Sequence, residues 1–144
     1  MAPITETSDL NWKILFLCWL IAAISASGSL FFSEIMQFAP CILCWYQRIF
    51  MFPLVIIFLA GLFPFDKNII RYTLPLAAAG SLVALYHTLL YSGIIPKGLQ
   101  PCSQGVSCTE VYIELGFITI PMLSLMAFSA IAALLIILHR RLSS

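Results

Sequence analysis

An all-α integral membrane protein, a four-transmembrane-helix bundle with both termini cytoplasmic, is the fold class this sequence predicts. Two observations lead there. Hydrophobic residues make up 62% of the chain, charged residues only 9%, and the mean hydropathy is +1.04. Soluble domains carry about 25% charged residues, and a core of ordinary size cannot hide so much apolar surface. The second observation is the placing of the charges, which leaves four long uncharged stretches in 144 residues.

Each stretch is long enough to consider as a span. The first runs from Ile14 to Ser33, and the second lies between Arg48 and Asp66. The third is Tyr72 to Pro96, and the fourth is Leu115 to Leu138. A helix needs about 20 apolar residues to cross the hydrocarbon core, and backbone groups there must be satisfied within the segment. The second stretch is short, so its helix is expected to begin upstream near Pro40. The spans are placed at approximately 13–33, 42–64, 71–93 and 116–138, with outer segments 34–41 and 94–115, all in one membrane domain. Lys13, Lys67, Arg71, Arg140 and Arg141 fall on one side, against Arg48 and Lys97 on the other. The positive-inside rule puts the first group, and both termini, in the cytoplasm. Trp12, Trp45 and Tyr72 stand near span ends, as interfacial aromatics do. No basic run points to nucleic acid.

Ile14–Ile24 followed by "SASGS" also has the outline of a signal peptide. A single Lys13 against Glu6 and Asp9 makes a weak n-region, so this stretch is read as the first span. Small residues in "AAISASGS" and "AAAGS" permit close helix packing. Pro53 falls inside the second span, while Pro75 and Pro121 fall near span starts, where proline is better tolerated. The stretch "YSGIIPKGLQPCSQGVSC" has loop composition. In "TEVYIELGF", Thr109 can cap a short surface helix that ends at Gly116.

The chemistry lies in five cysteines. Cys18, alone in the first span, reads as a packing residue. Cys41 and Cys44 open the second span, and Cys102 and Cys108 lie in the second outer segment, on the oxidising side where disulfides persist. The later pair fits a structural staple or a redox pair. A Cys-x-x-Cys closes a loop too small to stabilise much, and its usual service at a helix start is redox. Cys41, Cys44 and Arg48 follow at i, i+3 and i+7, on one helical face. Arg48 is then either a snorkelling anchor or a partner for a thiolate. Zinc on four cysteines is an alternative, although neither outer segment contains a histidine. His87 is an ionisable group within the third span, which marks a functional candidate. At 1.5 Å per residue, Arg48 stands about 27 Å above Asp66 and His87 about 24 Å above Arg71. Packing of the second and third spans would bring Cys44, Arg48 and His87 to one apolar pocket, suited to a membrane-soluble electron acceptor such as a quinone.

"PCILCWYQR", "YHT" and "PCSQGVSC" followed by "GFITIP" resemble the DsbB/BdbC disulfide-bond-formation proteins, and the short second loop is closer to the BdbC branch. The resemblance covers all four spans. It implies a thiol–quinone oxidoreductase of the bacterial cytoplasmic (inner) membrane that reoxidises a thioredoxin-like, DsbA/BdbD-like partner and passes two electrons to ubiquinone or menaquinone. Such a route keeps the bacterial periplasm oxidising. It further implies that Cys102 accepts the partner's thiolate, that Cys108 then attacks Cys41, and that Cys44 is released beside the quinone. Arg48 would stabilise negative charge on the quinone oxygens, and His87 matches the family's third-span histidine. Tyr91 stands where the DsbB branch has a glutamine and offers a hydroxyl instead. Vitamin-K-epoxide-reductase-like proteins also join four helices to quinone chemistry, but their Cys-x-x-Cys comes late in the bundle. A membrane metal-transfer protein is the other alternative.

Overall fold

A computed structural model describes residues 4–99, 108 and 118–144. Four long helices account for most of them: α1 (Ile4–Leu30), α2 (Ile42–Leu62), α3 (Ile70–Tyr91) and α4 (Ile120–Ser143). All four are long and apolar enough to cross a membrane. They form a ring in which each packs on its sequence neighbours and α1 closes against α4. The helix proposed for 109–116 lies outside the described residues, as does Cys102.

α1 begins before its expected span and α4 runs past the end of its own, because charge marks the membrane edge, not the end of helical hydrogen bonding; α2 and α3 keep within two residues of theirs. α1 begins well before Lys13, and Glu6 in its first turn suits the positive end of the helix dipole. At its other end α1 passes into a π turn, Phe31–Ile35. Gln37 then adopts a left-handed conformation (φ 57°), which turns the chain back toward α2. Pro53 sits inside α2, which runs on through it as one helix. Pro75 lies in α3, and Pro121 lies in the first turn of α4, where a missing N–H costs nothing.

The core follows helical spacing. Leu15, Cys18 and Ala22 of α1 are fully buried, so α1 is an integral wall of the bundle. α3 buries Ile70, Thr73, Ala77, Gly80, Ala84, His87 and Leu90, a stripe repeating every three or four residues. Its small members let α4 come close. A Cβ at Gly80 would collide with the Phe128 ring, and one at Gly61 with Ile69. Trp12 Nε1 donates to the Leu62 carbonyl at 3.3 Å, pinning the start of α1 to the end of α2. Facing outward at mid-helix are Ile56, Leu82 and Met126, each more than half exposed, as lipid-facing side chains should be.

Candidate redox site

At the N-terminus of α2 the extended backbone of Cys41 (φ −73°, ψ 171°) makes it the N-cap, and its carbonyl accepts from Trp45 N at 3.1 Å. One turn in, Cys44 Sγ lies 3.2 Å from Cys41 Sγ. Both cysteines are free thiols, whereas Cys108 is disulfide-bonded. Cys41 stands just outside the span. Its thiol is held well below the ordinary 9.0, first by the hydrogen bond from Cys44 and then by His87, against an opposing desolvation cost. The helix N-terminus acts in the same direction.

His87 comes from the buried stripe of α3 and is 2% exposed. Its Nδ1 lies 3.2 Å from Gln47 Nε2, and its Nε2 lies 3.2 Å from the Cys108 carbonyl and 3.9 Å from Cys41 Sγ. The carbonyl can only accept, so Nε2 carries the proton and the Gln47 amide donates to Nδ1. The ring is thus a strut linking α2, α3 and the backbone of the outer loop. Cys108 is buried in a small cluster with Cys41, Leu43 and Leu90, with Cys44 at its edge.

Arg48 is 8% exposed and turns toward α1, not α3. Its Nε donates to Ser29 Oγ and its Nη2 to the Ser29 carbonyl, both at 2.8 Å. The guanidinium also lies 5.3 Å from the Trp45 ring centre. These bonds occupy two of its five N–H donors. A cavity of about 340 Å³ opens beside the cysteines. Cys41, Cys44, Arg48, His87, Tyr91 and Cys108 all line it. The expected pocket between the second and third spans is therefore displaced. Most of its wall comes from α1, α2 and the start of α4, because Arg48 reaches across to Ser29 and α3 contributes only His87 and Tyr91. Phe32, Phe38, Met51, Phe52 and Phe128 make the wall mostly apolar. Thr119 also lines the cavity, and its buried Oγ1 has no hydrogen-bond partner among the described residues.

Three polar contributors were not picked out from the sequence. Gln47 had a usable signal, for it falls in register with Leu43, Met51, Leu54 and Phe58 on the buried face of α2. Ser29 and Thr119 had none beyond being polar near span ends. A metal ion has one candidate set among the described residues: Cys41, Cys44 and His87, whose ligand atoms lie within 4.8 Å of one another.

Comparison with known proteins gives the family. The family described as "Disulfide bond formation protein DsbB" matches residues 11–138. A "Probable disulfide formation protein" of Metapseudomonas resinovorans is 46% identical over 94% of this chain and 96% of its own length. "Disulfide bond formation protein C" of Bacillus subtilis (strain 168) is 46% identical over 79% of this chain and 83% of its own. No solved structure matches. With a family match over nearly the whole chain and relatives of this identity, the protein belongs to the DsbB family of disulfide-bond-formation membrane proteins.

Proposed function

We propose that this protein is a disulfide–quinone oxidoreductase that reoxidises a thioredoxin-like partner on the outer face of a bacterial cytoplasmic membrane. The observation that carries this reading is the apolar cavity walled by Cys44, with Arg48 and the unpartnered Thr119 hydroxyl on its surface. A quinone headgroup is a flat apolar ring with carbonyl acceptors. About 340 Å³ is ample for it, and both Arg48 and Thr119 can donate to a carbonyl oxygen. The residues present therefore fit the group. A bound quinone would supply a two-electron, two-proton acceptor.

The cysteines do the rest by exchange. A partner thiolate attacks Cys102, forming a mixed disulfide and releasing Cys108. Cys108 attacks Cys41 of a closed Cys41–Cys44 bond, which frees Cys44. The partner's second thiolate breaks the mixed disulfide and leaves oxidised. Cys102 then attacks Cys108, restoring the loop disulfide and freeing Cys41. Two electrons now reside on the Cys41 and Cys44 sulfurs. His87 supports the handover by fixing the Cys108 carbonyl over Cys41. Arg48, Thr119 and Tyr91 are assigned to the acceptor.

Mixing purified protein with a reduced thioredoxin-like partner and a quinone should yield quinol and oxidised partner in equal amounts. Partner oxidation that stops after one turnover whatever quinone is added would exclude the assignment.

A further inference from the structure

Disulfide exchange needs the two sulfurs of the helix pair, but it does not need an imidazole nitrogen within ligating reach of both. Here the sulfurs of Cys41 and Cys44 and a ring nitrogen of His87 lie within 4.8 Å of one another. We propose that the reduced protein binds one borderline divalent cation, of the zinc or cadmium class, on Cys41, Cys44 and His87, and that closing the Cys41–Cys44 disulfide expels it.

Two thiolates and an imidazole suit zinc and its heavier congener. Zinc–sulfur bonds of about 2.3 Å and zinc–nitrogen bonds of about 2.0–2.1 Å, at tetrahedral angles, set the donors about 3.8 Å (S to S) and about 3.6 Å (S to N) apart. The observed separations are 3.2 Å between the sulfurs and 3.9 Å from Cys41 Sγ to His87 Nε2. Side-chain adjustments of less than about an ångström bring those pairs to the required spacing. All three residues line the cavity, from which water could supply a fourth ligand.

Gln47 supplies the outer support. In the metal-free state it donates to Nδ1 and leaves the proton on Nε2. Ligation through Nε2 needs that proton on Nδ1. Rotating the Gln47 amide then presents its oxygen to Nδ1–H, the kind of second contact that orients metal-binding histidines. Two metal–sulfur bonds and one metal–nitrogen bond form. Thiol protons are released to solvent, the ring proton moves between ring nitrogens, and no electron is transferred. Once the two sulfurs share a disulfide bond they no longer offer thiolates, so metal and disulfide exclude each other. A bound cation would hold the helix pair reduced and stop turnover. This inference rests on the geometry of three side chains and does not require the proposed acceptor.

X-ray absorption on full-length reduced protein in nanodiscs, loaded with one equivalent of Zn2+, reads the ligand set directly. Two sulfurs and one imidazole nitrogen, completed by a light atom, are expected. Four sulfurs would overturn the assignment in favour of a site shared with the loop cysteines. Zn2+ titration against a chromophoric chelator gives the second measurement. It uses the Cys102→Ser/Cys108→Ser protein, in which only the helix pair offers thiolates. One cation should bind per reduced chain and none per oxidised chain. Gln47→Leu should weaken binding about 10- to 100-fold, and His87→Ala at least as much. No stoichiometric binding, or affinity unchanged by His87→Ala, would overturn the proposal. Quinol production assayed in metal-free buffer tests the redox function separately.

Discussion

The two halves of the bundle are built from the same four helices and behave as different materials. In the half that holds Phe58, Ile69, Ile131, Leu135 and Leu138, apolar side chains meet one another in a single buried cluster. Its buried polar residue, Thr73, satisfies itself by donating to the Ile69 carbonyl of its own chain turn at 2.9 Å. In the half that holds Cys41, the buried polar residues Gln47, Arg48 and His87 bond between elements and border open space. Phe128 forms the boundary, since it belongs to the apolar core and also lines the cavity beside the cysteines. One half supplies rigidity, and the other holds chemistry against it. A polar group inside a bilayer keeps its place only if its partners come with it, which is why the site residues are tied across helices.

Breaking the chemical half at its centre gives the largest effect. Cys44→Ser should reduce quinol production to background while leaving thermal unfolding in detergent nearly unchanged, because the side chain keeps its size. A parallel loss of stability would mean the pair is structural. The charge on Cys41 comes next. Its depressed pKa means the thiolate persists below pH 9.0, where an ordinary thiol loses roughly tenfold in reactivity per unit. Alkylation of reduced Cys41 should therefore remain fast at pH 7 and pH 6. In Cys44→Ala, which lacks the main hydrogen-bond donor, the midpoint should move up. An alkylation profile that falls away from pH 9 in the unaltered protein would show that no such thiolate exists.

The apolar half is tested at Gly80. Gly80→Val drives a side chain into Phe128 and should cost about 1–3 kcal/mol, read as a lower unfolding midpoint. Gly28→Ala, which meets nothing within 4 Å, should be neutral or slightly stabilising. Equal effects at the two glycines would mean that the close α3–α4 approach is not limiting. The smallest effect is expected at Thr119. Removing one neutral hydrogen bond in Thr119→Val should slow quinol production by roughly two- to tenfold, at about 0.5–1.5 kcal/mol. No change would place the acceptor elsewhere in the cavity.

Much of this division could be read from the chain before folding. Four uncharged stretches implied four membrane helices, since few other structures satisfy the backbone in lipid. The i, i+3, i+7 spacing of Cys41, Cys44 and Arg48 put them on one side of a helix, and counting rises put His87 at a matching height. Gln47, one residue from Arg48, reaches His87 Nδ1 at 3.2 Å, as that height requires. The direction of Arg48 was not legible. It depends on Ser29 of α1, and nothing in a one-dimensional pattern says which neighbour a long side chain will choose. Thr119 escaped notice because an uncharged hydroxyl near a span end is ordinary until its partners are found missing. Helix ends were also obscured. α1 continues past Lys13 into polar sequence, where charge no longer reports on backbone hydrogen bonding.

In the proposed function the chemical half has two separable tasks, exchange at the cysteines and charge stabilisation at Arg48. Arg48→Met separates them most directly, with partner oxidation followed in a single turnover without quinone and quinol production followed at steady state. A charge-assisted hydrogen bond is worth about 1.5–3 kcal/mol, so quinol production should slow roughly ten- to a hundredfold. Single-turnover partner oxidation should be largely spared, because Arg48 is bonded to Ser29 of α1 and has no part in the proposed exchange. Unchanged quinol production in Arg48→Met would contradict the claim and leave Arg48 as an anchor between α1 and α2.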